Sequence, residues 1–348
     1  MISTNSKNRI VISAIGFNSS YGTEIYEYFS SSEKPKESSF IIEDYDPQKF
    51  LKPKGQRFLS KSTILYCSTA FQAIHSRGLV RFIQNTPERV GLYNGTELSN
   101  LEDCFAFDLT AKNEGPDRVS PMKVPNTIAN AAASQMAIQA GIKGPNFSVC
   151  AGMAGSIQAL DIACLHLKQG ITDYGIVAST EVRNNYQKSI QKSFGDRNMS
   201  PELGISMILE RRESMDMENK SPLAGIVMMH SEIFIDHEVS FETYLYSVIR
   251  PAITQYDVDI LIVSGGLSAI DCDAFEIMVK ESYPLVSVLY PENQYGNFDN
   301  AGGMFGIAYA ISIFNGNTHC RISRKNILIL SLDPSGTIIY TIVEKITS

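Results

Sequence analysis

The segment best suited to chemistry is Gly144-Pro145-Asn146-Phe147-Ser148-Val149-Cys150-Ala151-Gly152-Met153-Ala154-Gly155-Ser156. It reads as a buried strand, a turn of small residues and the start of a helix. Such a turn presents one side chain at a strained corner backed by a helix N-terminus, where a nucleophile can be activated. The residue at that corner is Met153. A thioether has no proton to lose and cannot do the acyl-transfer chemistry of a thiolate. Cys150, three residues earlier, reads either as a buried core thiol or as a displaced nucleophile, and no histidine is placed in the sequence to activate it. His319-Cys320 falls in a polar stretch and reads as surface loop. The five histidines show no metal-ligand spacing, so neither a metal nor a cofactor is expected. The six cysteines form no CxxC pair, which fits free thiols in a reducing cytoplasm.

The surrounding pattern must supply a scaffold that holds this corner. A short apolar strand at 10–15 leads through a glycine-containing turn to a helix near 23–30. A polar segment at 31–56 reads as surface loop, and 60–77 as a helix with Ile64, Ala70, Phe71 and Ile74 on one side. A strand at 89–93 and an alanine-rich helix over 126–141 precede the strand at 148–151. The helix over 156–169 carries Ile157, Leu160, Cys164 and Leu167 at helical spacing, and Gly170 stops it. Strands follow at 174–178 and 205–209. From about residue 221 the rhythm restarts, with strands at 223–229, 260–264 and 285–290, helices at 242–254, 273–282 and 301–314, and a closing hairpin of 326–331 with 337–344. Very apolar strands such as Ile260-Leu261-Ile262-Val263 predict an α/β protein whose sheets are covered on both faces. No sequence-level repeat accompanies the shared rhythm, so a duplicated architecture is suggested by rhythm alone.

The chain has 348 residues, enough for two fused lobes with a large core, expected at 1–220 and 221–348 of one compact unit. A net charge of -7 with no long basic run argues against nucleic acid or an anionic membrane as a partner. The polar N-terminus has no signal-peptide core, and no apolar run is long enough to span a bilayer, so a cytoplasmic protein without membrane insertion is expected.

Six landmarks in order give the chain a resemblance to the β-ketoacyl synthases of the thiolase fold. They are Val11-Ile12-Ser13-Ala14-Ile15-Gly16-Phe17-Asn18-Ser19-Ser20-Tyr21-Gly22; Gly115-Pro116-Asp117-Arg118-Val119-Ser120-Pro121 with Val124-Pro125-Asn126; Gly141-Ile142-Lys143-Gly144-Pro145-Asn146; the corner itself; Ala178-Ser179-Thr180-Glu181; and residues 202–210. The resemblance implies a layered αβαβα architecture built from two related halves. It also implies a cysteine, two histidines and a lysine as the catalytic set. Carried over by spacing, the cysteine position falls on Met153 and the lysine position on Glu292. The first histidine position, counted back from Asp273 and Glu276, falls on Gly265, and the second on Asn297. The family's Gly/Phe-rich loop, which donates a backbone N–H to the oxyanion, matches Leu332-Asp333-Pro334-Ser335-Gly336, with Pro334 at the donor position and therefore no N–H. None of these residues restores the thiolate or the imidazoles that decarboxylative condensation needs.

The resemblance therefore points to a non-catalytic chain length factor, possessing no cofactor and paired with an active ketosynthase in type II polyketide or fatty-acid-like biosynthesis. The compactness between Glu181 and Glu202 resembles the chain length factors of aryl polyene-type pathways. The acyl carrier protein would be presented through the partner. By resemblance, the tunnel wall and interface map to Leu98, Lys123 and Val124, with Phe105, Phe107, Met122, Cys150 and Met153 nearby; Met153 reads as core filler or as a plug at the tunnel floor. Two alternatives stand beside this reading: an active condensing or decarboxylating enzyme using Cys150, and a homodimeric pseudo-ketosynthase.

Overall fold

The computed structural model describes residues 9–30, 41–42, 51, 56–193, 200–235, 238–318 and 325–346. His237, the His319-Cys320 pair, residues 1–8 and most of the 31–56 segment lie outside the described residues. Ten strands order as β3-β2-β4-β5-β1-β6-β10-β9-β7-β8. They are β1 (Ile10–Ser19), β2 (Val90–Gly95), β3 (Asn146–Val149), β4 (Tyr174–Glu181), β5 (Leu203–Arg211), β6 (Ala224–Ile233), β7 (Val258–Val263), β8 (Ser287–Leu289), β9 (Asn326–Leu332) and β10 (Thr337–Glu344).

The order resolves into two five-stranded sheets with one plan. In the first, β1 is antiparallel to β5, β5 to β4, and β4, β2 and β3 run parallel. In the second, β6 is antiparallel to β10, β10 to β9, and β9, β7 and β8 run parallel. The duplication that the sequence hides is therefore explicit in strand order and direction. The two sheets join only where Ile10, Val11 and Ile12 of β1 pair with Ile226, Gly225 and Ala224 of β6.

The helices fill three layers around these sheets. In chain order they are α1 (Ile25–Ser30), α2 (Lys61–Arg77), α3 (Val80–Asn85), α4 (Leu101–Glu114), α5 (Ala131–Ala140), α6 (Gly155–Lys168), α7 (Asn185–Ser193), α8 (Arg212–Met217), α9 (Phe241–Gln255), α10 (Cys272–Ser282), α11 (Glu292–Tyr295) and α12 (Gly302–Phe314). α6 and α12 lie between the sheets and share one cluster with the inward faces of both. α2 and α5 cover the outer face of the first sheet, and α9 and α10 that of the second. The alternation of strand side chains explains why the strands are apolar throughout. Ile260 and Ile262 of β7 point to the central cluster, while Leu261 and Val263 point to the outer one.

Several boundaries differ from the sequence reading. The helix expected over 126–141 is a 3-10 turn (Val124–Thr127) followed by α5, because buried Asn126 donates from Nδ2 to the Phe58 carbonyl at 2.8 Å and holds the turn. β3 ends at Val149, so Cys150 lies just beyond the strand, and that thiol is exposed rather than buried in the core. α4 and α7 had no signal in the sequence; α4 buries none of its side chains, so it has no apolar stripe against this core.

Close approach at the centre fixes certain residue types. A Cβ on Gly95, at the end of β2, would lie 2.3 Å from Ser156 Cα and 2.5 Å from Ser156 N, so α6 enters against bare backbone. Gly95→Ala is expected to cost about 1–3 kcal/mol by overpacking, read as a lower midpoint in urea unfolding with an unchanged slope.

Candidate functional site

The corner between β3 and α6 lies where the two halves meet. Gly152 takes φ +56, a conformation suited to glycine. Its carbonyl accepts a 2.6 Å hydrogen bond from Asn300 Nδ2, and Asn300 Oδ1 accepts from Ser179 Oγ at 3.0 Å. Half-buried Met153 follows; its N–H donates to Asp333 Oδ2 at 2.8 Å, and its carbonyl accepts from Ser331 Oγ at 3.4 Å. Three residues of the second half thus grip a two-residue turn of the first.

The sequence-predicted positions converge here in part. Gly265, at φ +97 beyond β7, donates its N–H to Glu292 Oε1 at 2.5 Å, and Glu292 is buried at the start of α11. A Cβ on Gly265 would lie 2.6 Å from Ser331 Oγ and 3.7 Å from the Met153 carbonyl oxygen, so a side chain there needs Ser331 Oγ to shift and is strained by the positive φ. Buried Asn297 accepts the Asp299 N–H on Oδ1 at 2.8 Å and so shapes the entry to α12. Pro334 is exposed on its turn; the group from this turn that reaches the corner is the Asp333 carboxylate. In the sequence Asp333 reads as an ordinary turn residue before proline, with no local signal of this contact.

The titratable groups around the corner are acidic. Asp299 Oδ2 accepts from Gln187 Nε2 and Ser200 Oγ, both at 2.9 Å. Burial, then the like charges of Asp299 and Glu97, push Glu181 well above the usual carboxylate range. Burial, then Asp299 and Asp333, push Glu97 up to about 7. Burial, then Glu97, raise the exposed Cys150 thiol, which disfavours its thiolate. Of the described histidines, His166 is the one on α6, and its Nδ1 pairs with Tyr93 OH at 2.8 Å near the helix C-terminus, roughly 16 Å along the axis from its start. Met153, Gly265 and Asn297 carry no group that titrates near neutrality, so these three positions supply no general base; the group beside the corner that titrates near neutrality is Glu97.

The remaining candidates lie on an open face. β3 pairs with β2 alone and is the edge of the sheet. Phe147 on β3 is exposed and stacks on Tyr93. Phe105 of α4 is exposed and stacks on Tyr186 of α7 with ring centroids 4.0 Å apart. Met122, Lys123 and Val124 are exposed, while Leu98 and Phe107 are half-buried. A groove of about 450 Å³ lies elsewhere, lined by residues including Ser13, Phe17, Tyr26, Gln72 and His75, and none of these candidates contributes to it.

A duplicated five-stranded sheet with two central helices and a strand-to-helix corner defines a thiolase-like ketosynthase fold. Solved structures share it over nearly the whole chain. The ishigamide ketosynthase/chain length factor superposes with a TM-score of 0.78 at 19% identity, covering 97% of this chain and 100% of that one. The AntDE:AntF complex, a type II PKS acyl-carrier protein with its ketosynthase bound to the hexaketide, gives 0.80 at 13% identity, covering 97% and 100%. Residues 13–202, more than half the chain, match the Beta-ketoacyl synthase, N-terminal domain family, and the chain belongs to the β-ketoacyl synthase family. Among curated relatives, the chloroplastic 3-oxoacyl-[acyl-carrier-protein] synthase I of Arabidopsis thaliana is 26% identical over 197 residues, 51% of this chain and 41% of that protein. The chain thus spans less than half the length of that relative.

The raised carboxyls fix a pH dependence. A folded-state Glu97 pKa of about 7 against an ordinary value near 4.5 means that the folded chain holds more protons across that window. Stability is expected to fall as pH rises from about 4.5 to 7, with Glu181 contributing in the same direction. Glu97→Gln should flatten the fall and raise the melting temperature at pH 8, measured by thermal unfolding across a pH series.

Proposed function

We propose that this chain is a non-catalytic chain length factor that pairs with an active ketosynthase and helps to shape the tunnel receiving its acyl chain, in type II polyketide or fatty-acid-like synthesis. The observation that carries the reading is the corner itself. The nucleophile position of the corner presents Met153, with Gly265 at a positive φ that disfavours a side chain and Glu292 accepting from the Gly265 amide. Decarboxylative condensation has no thiolate and no imidazole to work with at this place.

The open face supports a partner. An edge strand leaves one row of backbone groups free to pair with another chain. Phe147 on that strand is exposed, as are Met122, Val124, Ile128 and Ile138, and α4 buries none of its side chains. Apolar surface of this extent marks an interface rather than a solvated face. On this reading Leu98, Phe105, Phe107, Met122, Lys123, Val124 and Cys150 meet the partner or line the passage between the chains. The carrier protein is presented through the partner, which holds the reactive thiol; aryl polyene-type synthesis is the pathway class the compact chain resembles.

Co-expression with a ketosynthase that has its cysteine and both histidines is expected to give a 1:1 complex by size-exclusion chromatography with light scattering. Phe147→Glu should weaken that complex by roughly 30-fold or more, as for loss of an interfacial aromatic anchor. Exposure of Cys150 favours one second reading, in which that thiol carries the acyl group. Acyl-carrier labelling followed by mass spectrometry separates the two: label confined to the ketosynthase fits the first, and label on Cys150 that disappears in Cys150→Ala replaces it.

A further inference from the structure

The corner before α6 contains a bound carboxylate, and it belongs to the chain. Asp333 Oδ2 takes the Met153 N–H at 2.8 Å, and Oδ1 takes the Ser335 N–H at 2.8 Å. Asp333 is buried although the next residues of its turn are exposed, so the side chain has turned inward. The pocket around it is fitted. A Cβ on Gly152 would lie 1.9 Å from Oδ2, so the turn's glycine is what leaves space for the oxygen. Asn300 holds the Gly152 carbonyl from one side and Ser331 reaches the Met153 carbonyl from the other, which fixes the direction of the Met153 amide. A charged acceptor bonded by two backbone N–H groups is among the stronger hydrogen-bonded arrangements in proteins. It persists here near Glu97, whose pKa is raised first by burial and then by the like charges of Asp299 and Asp333.

We propose that Asp333 is a built-in occupant of an anion site at Met153, and that this site binds a small carboxylate once Asp333 is shortened. With Asp333 in place, the Met153 N–H is not available to the carbonyl oxygen of an incoming acyl thioester, so the corner is closed to acyl groups by its hydrogen bonding as well as by its missing thiol. The occupant also joins the halves, because Met153 belongs to the first and Asp333 to the second. The inference concerns this chain's own corner and holds whether or not a ketosynthase is its partner.

The test uses the full chain, or its co-purified complex, with sodium acetate as the probe and sodium chloride at equal ionic strength as the control. The wild type is expected to show the same melting temperature in both salts. Asp333→Ala should melt lower, and acetate should raise its melting temperature by about 2–4 °C over chloride. Asp333→Asn keeps the volume of the side chain, fills the site and should show no acetate effect. Hydrogen exchange on the wild type adds a reading that does not depend on any variant folding: the Met153 amide should exchange at least about tenfold more slowly than the amide of exposed Lys123. A folded Asp333→Ala protein that responds to acetate no more than to chloride overturns the proposal, as does a Met153 amide that exchanges as fast as Lys123. Neither result bears on ketosynthase pairing, which is read separately by complex formation.

Discussion

Two helices enter the centre of this molecule by their N-termini, and one amide side chain makes that geometry tolerable. Asn300 is fully buried just before α12, donates to the Gly152 carbonyl ahead of α6 and accepts from Ser179 on β4. Buried turns carry backbone groups that must find partners within the protein. Asn300 supplies them across the boundary between the halves, and within the second half Ser264 Oγ donates to the Gly302 carbonyl at 2.6 Å. Gly95 and Gly155 are bare where Asn300 passes: a Cβ on Gly95 would lie 2.8 Å from Oδ1, and one on Gly155 2.5 Å from Nδ2. The position of Met153, the path of α6 and the approach of α12 all follow from this clamp.

Electrostatics around the clamp has one sign. Glu97, Glu181, Glu292, Asp299 and Asp333 surround a place where, in the family this chain resembles, bases and a thiolate would stand. Carboxyls in such a setting survive by taking backbone or amide donors, as Asp333, Glu292 and Asp299 do, or by holding their protons, as Glu97 and Glu181 are driven to do. The Met153, Gly265 and Ser335 amides are each spent on one of these carboxylates.

The sequence was most readable where burial imposes a period. β7 and β9 are apolar on both faces because each lies between helix layers, and α6 announces itself by Ile157, Leu160, Cys164 and Leu167. Fixed spacing carries the readings at Met153, Gly265, Asn297 and Glu292, and the structure brings Met153, Gly265 and Glu292 close together. α4 was not legible: it meets no core in this chain, so nothing in its pattern points inward. Cys150 was misread as core because the apolar run before it continues one residue past the strand's end. Asp333 is not legible in the sequence because its contact lies 180 residues away, which no local pattern encodes.

The unpaired edge at β3 has a consequence for abundance. An open strand edge invites strand addition from any chain that meets it, and a protein whose apolar face stays uncovered is more often opened, cleaved or aggregated. Binding by a covering chain removes those losses by mass action. Were a partner to cover β3, as the proposed function requires, the surviving amount of this chain would follow the supply of that partner, and this four-residue edge would act as a stoichiometric counter.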